Sequence, residues 1–292
     1  MTGAGRGIGR EEALRLAREG AAVVVNDLGG DFHGEGADQR PAQLVVDEIV
    51  AAGGRASANY DDVSSWTGAQ ALIDQAVAEH GDLHVLVNNA GILRDAMSFT
   101  MTEAAWDAVI NVHLKGHFAP SHFAAAYWRS RSKAGRPTSG RIINTTSDSG
   151  LFGNPGQANY AAAKAGIASM TLVLARELSR YGVTVNAITP RARTRLTEGI
   201  GFGEAPAEGF DRLAPEHVAP VVAWLATDGA ADVNGQIFII NATEIMVLGG
   251  YHVEGAVDGG ERPWTLAGLA EAKGALFAKR GSGTPELAPP GW

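Results

Sequence analysis

The feature that most constrains this chain is the order in which buried-looking strands alternate with amphipathic helices. Ala21 to Asn26 is an apolar, β-branched run of the kind found in a parallel strand covered on both faces. Leu83 to Val87, Arg141 to Thr146, Val183 to Ile188 and Gln236 to Ile240 read the same way, with a shorter strand at Ala56 to Tyr60. Helices are expected between them at Glu11–Arg18, Gln43–Ala52, Ala69–His80, Glu103–Arg129, Tyr160–Tyr181 and Pro215–Ala226, the long one bent near Pro120. This order predicts an α/β fold, a Rossmann-type doubly wound parallel sheet in three layers. No internal repeat interrupts it, and residues 1–249 read as one domain. Residues 250–292 change character, becoming rich in Gly and Pro with Tyr251, Trp264, Phe277 and Trp292 interspersed. They are expected to form a C-terminal tail on the core or an oligomer face, with the last ten or so residues mobile.

The N-terminus adds chemistry to this frame. Met1-Thr2-Gly3-Ala4-Gly5-Arg6-Gly7-Ile8-Gly9-Arg10 is a glycine turn that opens a helix. Turn, helix and strand make two-thirds of a βαβ unit. The strand that should precede Thr2 is central in such sheets, so the first strand is expected to be truncated, with a few apolar residues belonging upstream. The spacing departs from G-x-G-x-x-G. Gly3, Gly7 and Gly9 nevertheless permit a tight turn and close approach of backbone N–H groups to a pyrophosphate at a helix N-terminus. Asp27 ends the next strand 18 residues after Gly9, near the spacing of about 20 at which a carboxylate bonds the adenosine ribose. An acidic group there repels a 2′-phosphate, which points to NAD rather than NADP.

A second constellation lies further on. Tyr160 and Lys164 are four apart in Asn159-Tyr160-Ala161-Ala162-Ala163-Lys164, which places them on one helix face a turn apart. Ser147 follows the Arg141–Thr146 strand. An ammonium beside a phenol favours the phenolate. Such a phenol can act as general acid for carbonyl reduction or general base for alcohol oxidation, while a serine hydroxyl holds the substrate oxygen.

Composition removes several other readings. The net charge of −8 argues against a nucleic-acid surface, and the absence of cysteine excludes disulfides and thiolate metal sites. No apolar run approaches the roughly 18 to 20 residues of a membrane span, and no signal peptide is visible. His113, His117 and His122 lack the carboxylate partner of a metal constellation, so no metal is expected. Arg191, Arg193 and Arg195 alternate after Pro190, as a solvated loop or as contacts to coenzyme A phosphates. The segment they open, through Ala214, is long enough for a lid bearing Leu196, Ile200, Phe202, Phe210 and Leu213.

Taken in order and at their spacing, Thr2-Gly3-Ala4-Gly5-Arg6-Gly7-Ile8-Gly9, Asp62-Val63, Asn88-Asn89-Ala90-Gly91, Ser147 and Tyr160 with Lys164 resemble the short-chain dehydrogenase/reductase family. The resemblance spans residues 2 to about 249. Val25-Asn26-Asp27-Leu28-Gly29-Gly30-Asp31-Phe32, Ile92-Leu93-Arg94-Asp95, Gly153 to Tyr160 and Pro215 to Pro220 are similar to the hydroxyacyl-CoA dehydrogenase modules of peroxisomal multifunctional enzymes. What the resemblance implies is NAD-dependent interconversion of a secondary alcohol and its ketone, the alcohol being a 3-hydroxyacyl-CoA or a hydroxysteroid. The cofactor would meet Gly3, Gly7, Ile8, Gly9, Asp27, Asp62, Val63, Asn89, Ala90, Gly91, Tyr160, Lys164 and Ile188. Asp62 would bond the adenine, Asn89 would line the ribose, and Lys164 would bond the nicotinamide ribose. The family's usual Asn on the long helix is replaced here by His113, with Asn111 two residues early, and its common Pro-Gly reads Pro190-Arg191. His113 is expected to serve the proton relay in that Asn's place. A lipid or CoA-ester substrate, a cytoplasmic homodimer or homotetramer, and no nucleic-acid partner complete the expectation. Reduction of an acyl-carrier-protein thioester, or NAD binding without turnover, are the alternatives.

Overall fold

Three hydrogen-bonded stretches meet at the middle of the sheet, and the shortest of them joins the other two. In this computed structural model, residues 1–194, 197, 204–250, 252–260, 263–279 and 282 are described. The strands are β1 (Ala22–Asn26), β2 (Arg55–Asn59), β3 (Val85–Asn88), β4 (Gly140–Thr145), β5 (Val183–Arg191), β6 (Ile237–Asn241) and β7 (Glu244–Val247). β1 pairs with β2, and β3 to β7 lie side by side in chain order. Met1–Ala4 runs between the two groups. Thr2 pairs in parallel with Asn26. Met1 N donates to the Val24 carbonyl at 2.9 Å. Asn26 N donates to Met1 O, Ala4 N to Asn26 O, and on the other side Thr2 N donates to Val87 O at 3.0 Å. Met1–Ala4 therefore occupies the central place expected for the first strand.

The helices are α1 (Gly7–Arg18), α2 (Arg40–Ala51), α3 (Trp66–His80), α4 (Glu103–Ile110), α5 (Gly116–Lys133), α6 (Asp148–Phe152), α7 (Ala158–Leu178), α8 (Ala219–Leu225) and α9 (Leu266–Leu276). Leu14 and Leu16 of α1, Val45 and Ile49 of α2, and Val222 and Leu225 of α8 pack with Val25, Ile143, Ile188 and Ile240 of the sheet. Ile73 of α3, Trp128 of α5 and Leu174 of α7 pack with Leu86, Ile142 and Val185. The two faces of the sheet are thus each covered by helices, as the near-continuous apolar strands require.

Three features depart from the sequence reading. The long helix is interrupted at Asn111–Lys115, a π-turn that carries His113, and it runs on through Pro120 to Lys133. π-turns of this kind cluster at functional sites. β7 is an additional antiparallel strand, reached by a two-residue turn in which Ala242 takes φ 57°. β5 continues to Arg191, three residues past Ile188, so Arg191 belongs to a strand end and not to a loop.

Residues 249–292 form a second compact unit. Within it Thr265 caps α9, its hydroxyl accepting from Gly268 N at 3.0 Å, and the Trp264 ring lies against Gly259. The final ten residues lie outside the described ones. No described helix is long and apolar enough to cross a membrane.

Thr2 makes the central segment testable. Its buried hydroxyl accepts from Asn89 N at 3.0 Å and Ala90 N at 3.1 Å. Thr2→Val takes the partner from both half-buried donors, at about 1–3 kcal/mol each. At roughly 2–4 °C per kcal/mol for a domain of this size, Tm should fall by at least about 4 °C, and Thr2→Ser should recover most of the loss. Equal melting temperatures for wild type and Thr2→Val would contradict this assignment.

Candidate active site

The strand order reverses at Met1–Ala4, where the chain leaves through α1 to β1 on one side and β3 lies on the other. A crevice at the carboxyl ends of strands at such a point is where open α/β sheets bind ligands. Here it is an open cleft lined by Gly3, Gly7, Ile8, Gly9, Asp27, Asp62, Val63, Asn89, Ala90 and Gly91, together with Arg6, Val112 and Thr194. Leu28–Asp31 and Gly34 also border it.

The glycine turn is shaped by close contacts. Gly3 and Gly7 have φ of 61° and 55°, in the left-handed region. A Cβ on Gly9 would lie 2.2 Å from the Gly3 carbonyl oxygen. Asn89 Nδ2 donates to that same carbonyl at 2.9 Å, so Asn89 braces the turn as well as lining the cleft. Asp27 faces the turn too: Oδ2 accepts from Gly5 N at 2.8 Å and Oδ1 from Gly29 N at 2.7 Å. Each carboxylate oxygen keeps a further lone pair for a ribose hydroxyl. Asp62 Oδ1 accepts from the Ser64 N–H and hydroxyl. The cradle therefore fits a dinucleotide.

Ser147, Tyr160 and Lys164 are brought together by the packing of α6 on α7. Ser147 is the N-cap of α6. Gly150 lets α6 approach α7 so closely that a Cβ there would lie 2.6 Å from Ala165 N. Thr146 Oγ1 donates to the Lys164 carbonyl at 2.7 Å. Tyr160 is placed from the other side: Asn159 Nδ2 donates to the carbonyls of Arg94 and Ala105, and its Oδ1 accepts from Tyr160 N.

Electrostatically the site is dominated by burial. The Tyr160 phenol is pushed up to about 12 by desolvation, opposed by a hydrogen bond with Ser147 and reinforced by the Asp95 and Asp148 carboxylates. Desolvation brings Lys164 down to about 7. The expected lowering of the phenol by Lys164 is not realised here. Nζ lies 5.6 Å from the Tyr160 ring centre and donates to the Thr145 carbonyl at 2.6 Å. An amine that is itself costly to charge exerts little pull on its neighbour.

His113 stands edge-on to Tyr160, ring centres 5.0 Å apart. Its Nε2 meets the Ile92 main chain, 3.0 Å from N and 2.7 Å from O. Burial and Lys164 lower it to about 3, so the ring is neutral. A Cβ on Gly91 would lie 2.4 Å from His113 Cε1, which explains a glycine there. Asn111 is turned elsewhere and donates to Ser64 Oγ. His117 is buried, and the His122 ring lies tilted against Trp66, centres 4.8 Å apart.

The short chain dehydrogenase family profile matches residues 1–200. The chain belongs to the short-chain dehydrogenases. It is 46% identical over 289 residues to the hydroxyacyl-CoA dehydrogenase ChsB1 of Mycobacterium tuberculosis, covering 96% of this chain and 88% of that one. It is 46% identical over 232 residues to peroxisomal multifunctional enzyme type 2 of Drosophila melanogaster, covering 80% of this chain but 37% of that one. A short chain dehydrogenase from Mycobacterium avium superimposes with a TM-score of 0.87 at 49% identity, over 99% of this chain and 97% of that one. As a short-chain dehydrogenase, the protein is an oxidoreductase acting on CH–OH groups.

Other placements differ from the sequence reading. Ile188 has its side chain in the core, and its carbonyl accepts from Thr146 N. Arg191 is 8% exposed and ion-paired to Asp148 at 2.7 Å, so it is not a solvated contact for coenzyme A. Arg193 pairs with Asp211 at 2.6 Å. Arg195, Leu196, Ile200 and Phe202 lie outside the described residues. Phe210 is exposed, and Leu213 O accepts from Arg193 N. Thr194, against Gly7 at the cleft wall, escaped the sequence reading because a threonine after two arginines carries no local signal.

Gly9→Ala tests the cradle. The methyl forces Gly3 and Asn89 apart, so binding of reduced dinucleotide, followed by its fluorescence, should weaken by at least about tenfold, a loss of about 1.4 kcal/mol. Unchanged affinity would show that the turn does not hold the nucleotide.

Proposed function

We propose that this short-chain dehydrogenase uses NAD to interconvert a 3-hydroxyacyl-CoA, or a related hydroxysteroid, with its ketone. The observation that carries this reading is the convergence of Ser147 and Lys164 on Tyr160, in a chain whose glycine-walled cleft is lined by the Asp27 carboxylate. Gly3, Gly7, Gly9, Asp27, Asp62 and Thr194 would hold the dinucleotide, which supplies the hydride acceptor. Ser147 holds the alcohol oxygen. Tyr160 removes the hydroxyl proton in oxidation and returns it in reduction. Burial alone holds the phenol protonated, so Lys164, once charged and drawn nearer the phenol oxygen, would supply the positive charge that the phenolate needs. The neutral His113 ring fixes the Ile92 main chain beside Tyr160.

Support for the acyl-CoA class comes from the relatives, one of them a hydroxyacyl-CoA dehydrogenase aligned over nearly the full chain. Exposed Phe210 beside His217, ring centres 4.8 Å apart, offers an apolar surface to an acyl chain. A cytoplasmic homodimer or homotetramer belongs to the same reading.

Tyr160→Phe should lower kcat by about 10²–10⁴-fold while NADH affinity stays within about twofold. Full turnover in this variant would remove the phenol from the chemistry. Wild type should show a higher kcat/KM for NADH than for NADPH, and Asp27→Ser should narrow the ratio; a wild-type preference for NADPH would refute the cofactor assignment. A panel of 3-hydroxyacyl-CoA esters, acyl-carrier-protein thioesters, hydroxysteroids and simple alcohols should give the highest kcat/KM for the CoA esters or the steroids. Turnover confined to simple alcohols would exclude the lipid reading.

A further inference from the structure

Arg191 ends β5 and reaches the first residue of α6. Its Nε donates to Asp148 Oδ2 at 2.7 Å, and both side chains are largely buried. Asp148 is the first residue of α6, immediately after Ser147. Burial raises the Asp148 carboxyl while Arg191 lowers it. The groups that face the Tyr160 phenol come from several elements. Ser147 precedes α6, Asp148 begins it, Asp95 follows β3, His113 sits on the π-turn, and Lys164 lies one turn along α7. Asp95 and Asp148 are the carboxylates among them that oppose a negative phenolate. Asp95 is tied to neutral Gln157, whose Nε2 donates to it at 2.7 Å. Asp148 has a cation in direct contact.

We propose that Arg191 and Asp148 are a positioning pair for the reaction, tying the Ser147 turn to the end of β5 and cancelling the carboxylate charge that faces the Tyr160 phenol. Buried ion pairs contribute little net stability compared with apolar residues of the same size, so stability alone does not account for a pair at this place. Alcohol oxidation requires a phenolate, and an uncompensated carboxylate nearby would oppose it. With Arg191 in contact, the phenol meets a pair of zero net charge. The inference rests on the proposed role of Tyr160 in alcohol oxidation.

The test compares Arg191→Met, Asp148→Asn, the double variant and Arg191→Lys, all saturated with NAD. One readout needs no substrate: the pH midpoint of the ¹³C-labelled tyrosine Cζ resonance, assigned to Tyr160 by its loss in Tyr160→Phe. The other is the pH profile of kcat for alcohol oxidation. Arg191→Met should move both midpoints up by about 0.5–1 pH unit and Asp148→Asn should move them down. The double variant should return near wild type, and Arg191→Lys should stay there. If Arg191→Met does not fold, Asp148→Asn, which conserves volume, and Arg191→Lys decide the matter. Midpoints unmoved in Asp148→Asn, with loss only of Tm or of rate at every pH, would make the pair purely structural and overturn the proposal. A protein inactive on every alcohol would refute the proposed function instead, and the resonance midpoints would still decide whether the pair governs the phenol.

Discussion

The hydrogen bonds that seat Met1–Ala4 between β1 and β3 are what the rest of the structure depends on. They join two groups of strands that, among the described residues, make no other direct ladder, and each is worth about 0.5–1.5 kcal/mol net. They also aim the chain. Because Thr2 is fixed on both sides, Gly3 turns away in the left-handed region, and the first residues of α1, Gly7 to Gly9, line the cleft. Asn89 and Asp27, each just past the end of a neighbouring strand, close on the same turn through its carbonyl and N–H groups. Sheet assembly and construction of the nucleotide cradle are therefore one event.

At the catalytic triplet the competition is between desolvation and charge pairing, and desolvation wins. The phenol rises to about 12 and the amine falls to about 7, so the buried site resists creating either charge. With Nζ held by the Thr145 carbonyl at 2.6 Å, lowering the phenol requires that the ammonium be charged and nearer its oxygen. Positively charged groups at the site, including an oxidised nicotinamide, act in that direction. Each charge that already faces Tyr160 then has leverage on the reaction, which is why the pairing of Asp148 with Arg191 matters.

Much of this was legible in the sequence. Strands buried on both faces leave runs such as Ala22–Asn26 and Arg141–Thr145 that fit nothing else, and helical spacing put Tyr160 and Lys164 on one face. The illegible parts have physical causes. Asn111–Lys115 has ordinary helical composition, and only the tertiary contact of His113 with Ile92 marks the π-turn. β7 is short and mostly exposed, and its Ala242-Thr243 turn lacks the Asn-Gly signal of a tight hairpin. Arg191 reads as solvated after a proline until β5 is seen to continue under it. Glu12 sits on the inward face of α1, where burial pushes its carboxyl up to about 8, and nothing in an amphipathic pattern announces a buried acid.

The central claim is that this site passes hydride from a carbinol carbon to NAD while Tyr160 takes the proton. Its most direct test is a single turnover with a 3-hydroxyacyl-CoA carrying deuterium on the carbinol carbon, followed by mass spectrometry of the nicotinamide. The account predicts reduced dinucleotide one mass unit heavier, formed in equal amount to the 3-oxo product. Reduced dinucleotide without the label, or 3-oxo product formed without any reduced dinucleotide, would contradict it.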